Sequence, residues 1–94
     1  MFVGTCIITL ELEGVRSLKE KRSIVKSIIA RLQREFNLSV AEVDGQDAWG
    51  TAVIGLAIVG NDKAYLHRTL EKSVAWVETN RPDAPIAAYS IEFL

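Results

Sequence analysis

The side chains of this chain that could act through charge are unevenly placed. Between Arg16 and Phe36 stand seven basic residues (Arg16, Lys19, Lys21, Arg22, Lys26, Arg31 and Arg34) and two acidic ones (Glu20 and Glu35), a net of +5. The rest of the chain holds four basic and ten acidic residues, a net of −6, so the formal charge of −1 conceals a polarised molecule. A cationic ridge of this kind can track phosphates, and arginine forks give paired contacts to them. Arg16, Lys19, Lys21, Arg22 and Lys26 are therefore the candidate nucleic-acid-binding residues. The competing account is a solvated helix face. A net-negative chain binds nucleic acid poorly except through such a local patch.

The other reactive residue types do not assemble a catalytic centre. Glu42, Asp44 and Asp47 supply three carboxylates within one short stretch, donors of the type a hard cation takes. An edge strand protected from aggregation by charge is the simpler account, and no metal is assigned. His67, the single histidine, sits one helical turn before Glu71, which suits a surface pair. Cys6, the single cysteine, excludes an internal disulfide, and its strand phase places it in the core, where a thiol is inert. Gly45-Gln-Asp-Ala-Trp-Gly50-Thr51 faintly resembles a phosphate-binding loop. It lacks the lysine after the second glycine, and a strand rather than a helix follows it. The expectation is a non-catalytic protein with no cofactor. In the same loop, Trp49 either anchors a contact or folds back onto the sheet end, the reading preferred here. Tyr65 and Trp76 share a helix flank that should border the core.

The elements that must position these residues follow from periodicity. Phe2 to Leu12 alternates as a strand, with Phe2, Cys6, Ile8, Leu10 and Leu12 facing the core. Ser17-Leu-Lys-Glu20 is a capping box opening a helix from Leu18 to about Phe36. Its apolar stripe is Leu18, Val25, Ile28, Ile29, Leu32 and Phe36. Asn37 is expected to end it in the left-handed conformation. Leu38–Asp44 and Gly50–Gly60 read as a hairpin around a five-residue loop. Asn61 or Asp62 caps a second helix to about Thr79, with Leu66, Leu70, Val74 and Val77 inward. Two prolines interrupt Arg81–Pro85, and Ile86–Leu94 is a last strand.

The order βαββαβ predicts both helices on one face of a four-stranded antiparallel sheet, with the first and third strands central. The other face should carry Val3, Thr5, Ile7 and Thr9, joined by Val53, Gly55, Ala57 and Val59. It is apolar enough for self-association, the basis of a homodimer candidate. At 94 residues, 49% hydrophobic and 24% charged, the chain suits one domain spanning residues 1–94. No apolar run reaches the ~18 residues of a membrane span, and no basic stretch precedes the first apolar run as in a signal peptide. A cytoplasmic location is expected.

Ser17-Leu-Lys-Glu-Lys-Arg22, Val40-Ala-Glu-Val-Asp44 and Gln46-Asp47 with Trp49 carry a resemblance to the YlxP-like family of small bacterial domains of unknown function. It covers nearly the whole chain. The resemblance implies a ferredoxin-like α+β fold, the two-layer sandwich derived above. That term describes shape only, since one cysteine cannot hold an iron–sulfur cluster. It also implies a bacterial source. Members are often encoded beside factors for ribosome maturation and translation initiation, which directs attention to ribosomal RNA or ribosomal particles. No catalytic residues carry over; Lys19, Lys21, Arg22, Glu42, Asp44, Gln46, Asp47 and Trp49 match the recurring pattern. Ala48 and Gly50 stand where relatives commonly have larger residues, so the hairpin tip differs in shape. The expected function is binding of structured RNA through the basic helix, with Gln46, Asp47 and Trp49 as loop contacts. The alternative is a homodimeric protein-interaction module.

Overall fold

A computed structural model describes residues 1–94. The elements run β1 (Phe2–Glu11), α1 (Leu18–Glu35), β2 (Ser39–Asp44), β3 (Thr51–Gly60), α2 (Lys63–Asn80) and β4 (Ile86–Phe93). The strands pair antiparallel in the order β2-β3-β1-β4, so β3 and β1 are central as expected. Both helices lie on one face, and the fold is a ferredoxin-like α+β sandwich. No helix is long and apolar enough to cross a membrane.

Alternation in β1 sends Cys6, Ile8 and Leu10 into the core, and Leu12 follows them just past the strand. Across the ladder Cys6 meets Leu56, Ile8 meets Ile54 and Leu10 meets Ala52, all buried. The helices close this face with Val25, Ile28 and Leu32 from α1 and Leu66, Leu70, Val74 and Val77 from α2. Phe2, expected inside, is 40% exposed at the sheet end, where it opens the strand opposite Gly60. Arg81, just past α2, ties that helix end to α1. Its guanidinium donates twice to Asp83, at 3.1 and 2.9 Å, and once to Ser27 Oγ on α1 at 3.1 Å.

Caps set the helix ends. Ser17 Oγ accepts from the Glu20 amide at 3.1 Å, and Glu20 Oε2 accepts from the Arg16 amide at 3.3 Å, one residue earlier than in a standard capping box. Asp62 caps α2 by accepting from the Tyr65 amide at 3.1 Å. The expected left-handed Asn37 does not occur, since no residue other than glycine has positive φ. Phe36 is already extended, and the Leu38 amide donates to Phe36 O at 2.9 Å, a tight three-residue turn that delivers the chain into β2 without a left-handed residue.

The second sheet face is open, as expected. It carries Val3, Thr5, Ile7 and Thr9 of β1, with Val53, Gly55, Ala57 and Val59 opposite them on β3. Ser39 and Ala41 extend it on β2, and Ala88 and Ser90 on β4. Gly55 has a packing reason: a Cβ there would come within 2.8 Å of Val43 Cγ1, which lies across it. The division of the sheet into a packed and an open face is tested by two truncations. Leu32→Ala, at a fully buried site, is expected to cost about 2–5 kcal/mol in urea unfolding. Val59→Ala, 61% exposed, should stay within about 0.5 kcal/mol. Equal losses would contradict the division.

Candidate nucleic-acid interface

The basic residues of α1 divide into two groups. Arg16, Lys19, Arg22 and Lys26 are exposed and take part in none of the four ion pairs of the molecule. At 100° per residue Lys19, Arg22 and Lys26 share one flank, and Arg16 precedes the first turn. Arg31 is occupied elsewhere, 3.6 Å from Glu35 and stacked over the Trp76 ring with its Cζ 5.3 Å from the centroid.

Lys21 corrects the sequence reading. Expected on the phosphate-contacting ridge, it is 1% exposed and points inward. The stripe that α1 buries is Lys21, Val25, Ile28 and Leu32, rather than one centred on Ile29 and Phe36. The lysine Nζ donates to Gly45 O at 2.5 Å and to Ala48 O at 2.6 Å, and lies 3.2 Å from Glu42 Oε2. An ammonium has three donors and no acceptor; the two carbonyls take two of them, and the carboxylate supplies the opposite charge. Glu42 Oε2 is itself shut off from solvent and has no aligned hydrogen bond, so its pairing with Lys21 is ionic.

These contacts hold the β2–β3 connection, which runs from Gly45 to Gly50, one residue longer than expected. Gly45 has φ of +70°, a conformation that strains any residue with a Cβ. The Ala48 amide closes a turn onto Gly45 O at 3.0 Å, and the Leu12 amide donates to Gly50 O at 2.9 Å. The loop is thereby fastened to α1 at Lys21 and to the end of β1 at Leu12. Gln46, Asp47 and Trp49 project from it exposed. Trp49 is 52% exposed, so it is not the core residue that folding back onto the sheet end would make it. Residues distant in sequence, Arg16 to Arg22 and Gln46 to Trp49, therefore occupy one end of the molecule. Lys21 is the missed element. Its signal was its phase, three and four residues from the apolar positions Leu18 and Val25.

The carboxylates do not converge. The register between β2 and β3 shifts between Glu42 and Asp44, which breaks the alternation that would have put both on one side. Glu42 pairs with Lys21, while Asp44 Oδ1 accepts from the Gly45 amide at 2.7 Å. No three His, Cys, Asp or Glu side chains are placed to hold a metal ion.

On α2, His67 Nε2 lies 3.7 Å from Glu71 on the surface. The Tyr89 hydroxyl donates to Glu71 at 3.0 Å, and that bond holds the phenol pKa above its usual value. Burial, with Glu71 nearby, pushes the Cys6 thiol up to about 11, so it is not a thiolate near neutral pH. Tyr65, expected at the core border, is 56% exposed, whereas Trp76 packs against the core.

Substituting Lys21→Met leaves two carbonyls without their donor and Glu42 without its counter-charge. The expected cost is about 2–4 kcal/mol in urea unfolding, with faster hydrogen exchange at the Ala48 amide. Adding Glu42→Leu should recover part of the loss. A Lys21→Met protein as stable and as protected as the parent would show that the ammonium does not hold the loop.

Among known proteins, the family described as "Protein of unknown function (DUF503)" matches residues 3–91. The uncharacterized protein YlxP of Bacillus subtilis (strain 168) is 35% identical over 63 residues, 67% of this chain and 68% of the relative. Among solved structures, the de novo designed protein Foldit4 superimposes with a TM-score of 0.56 at 14% identity, covering 100% of this chain and 97% of the design. A mutant of SnoaB, a cofactor-independent oxygenase from Streptomyces nogalater, gives 0.54 at 13% identity, covering 98% of this chain and 90% of the oxygenase. At such identities the structural likeness shows the fold alone.

Proposed function

This chain belongs to the DUF503 family of proteins of unknown function, and we propose that it is a non-catalytic binding domain for structured RNA, such as that of ribosomal particles. The observation that carries the reading is the row Arg16, Lys19, Arg22 and Lys26, exposed and free of ion pairs. The one acid within the sequence span of the row, Glu20, accepts from the Arg16 amide. Cations left without protein partners are available to displace counterions from a phosphate backbone. The outward flank of a helix also presents side chains long enough to follow that backbone. A binding role fits the remaining groups, since the thiol is buried and the imidazole pairs on an open flank.

The test is co-sedimentation with ribosomal subunits at low and moderate salt. The parent protein should associate, less so as salt rises. Lys19→Glu with Arg22→Glu should weaken association at least tenfold while leaving the melting temperature unchanged, because both side chains are exposed. Undiminished binding by the double variant would overturn the reading.

A second reading is favoured by the chemistry of the open sheet face. In a chain that is 24% charged, the paired residues of this face are uncharged except Glu11, Asp44 and Glu92, which stand toward the strand ends. A second copy suits it, because self-pairing sets uncharged against uncharged and buries no charge at the centre. Light scattering at micromolar concentration should then give twice the 10.4 kDa chain mass. Ile7→Lys with Val59→Lys should restore the single mass. A monomeric parent protein would remove this reading.

A further inference from the structure

We infer that Trp49 is a stacking platform for an unpaired base, and that the RNA bound by α1 therefore carries an unstacked nucleotide beside the phosphates the helix contacts. The inference rests on the RNA reading and narrows its ligand. Three observations carry it.

The first is the contrast between the two tryptophans. Trp76 packs against the core under the Arg31 guanidinium, while Trp49 leaves 52% of its surface in water at a loop tip. The second is how the loop is held. The carbonyl just before Trp49, Ala48 O, accepts from buried Lys21 at 2.6 Å, and the carbonyl just after it, Gly50 O, accepts from the Leu12 amide at 2.9 Å. The backbone is fixed on both sides of the indole without using the indole itself. A ring presented from a fixed backbone loses less freedom on binding than one on a loose loop.

The third is charge. The hairpin around Trp49 carries Asp44 and exposed Asp47, and the cation that contacts it, Lys21, is buried against Glu42. Such a tip repels phosphates. The face of a base carries no charge and stacks on an aromatic ring whatever its sequence. Gln46 and Asp47, exposed beside Trp49, offer an amide and a carboxylate to the edge of that base. The two ends of the site thus suit two parts of one nucleotide chain: cations on α1 for the backbone, and the loop for a base turned out of the helix.

The experiment uses two RNA hairpins, identical except that one carries a single-nucleotide bulge. Filter binding is measured for the parent protein, for Trp49→Ala and for Lys19→Glu/Arg22→Glu. The parent should prefer the bulged RNA, and Trp49→Ala should lose about tenfold or more on it while keeping its affinity for the paired hairpin. Trp49→Phe should retain the preference. In a Trp76→Phe background, indole fluorescence reports Trp49 alone and should be quenched by the bulged RNA. Equal binding of both hairpins by Trp49→Ala and the parent, with the Lys19/Arg22 variant still impaired, overturns the stacking role and leaves the helix reading standing. Failure of the parent to bind either RNA overturns both.

Discussion

The end of this molecule that carries its candidate site depends on the burial of one ammonium group. A lysine removed from water costs several kcal/mol unless oxygens replace its hydration. Here the replacement requires four conditions at once. Gly45 must take φ of +70° so that its carbonyl turns toward α1. The turn must bring Ala48 O beside it, α1 must aim Lys21 inward, and β2 must aim Glu42 at the same point. Each condition is useless without the others, so helix and hairpin are specified jointly. No buried apolar side chain could do this, because an apolar contact does not dictate where two carbonyls point.

Most of the fold was legible because it rests on short periods. The alternation in β1 and β3 identified Cys6, Ile8, Leu10, Ile54 and Leu56 as core, and the stripe of α2 identified Leu66, Leu70, Val74 and Val77. The site was legible only in parts. A pattern that sorts residues into polar and apolar counts lysine as outward, so it displaced the stripe of α1 toward Ile29 and Phe36. The contacts that bury Lys21 span 24 and 27 residues, so its helical phase marks it as inward but names none of its partners. The register shift between Glu42 and Asp44 was invisible for a related reason. A bulge belongs to a pair of strands, and one strand read alone shows only alternation. Trp49 was misplaced because a large aromatic defaults to the core unless the turn beneath it is known.

Membership of a family of unknown function and likeness to a designed protein and an oxygenase direct attention away from the fold and toward particular side chains. The same two-layer frame carries unrelated tasks. What individualises this chain is the separation of its charge. The helix that is net positive sits on a molecule that is otherwise net negative. A polyanion is therefore attracted to one side and repelled from the rest, which orients the encounter before contact.

That separation also makes the two readings of the surface compatible. The helices cover one face of the sheet, and the open face, uncharged at its centre, is the other. Two copies joined through their open faces would carry their α1 ridges outward on opposite sides, and neither ridge would be covered. Such a pair could not close both ridges on one short duplex, because the two sheets lie between them. It would instead engage two separated segments, and the second contact would gain from the first only if the intervening RNA could bend around the pair. Avidity in that arrangement would belong to large folded RNAs rather than to short oligonucleotides, so the length of the RNA, and not only its sequence, would decide the strength of binding.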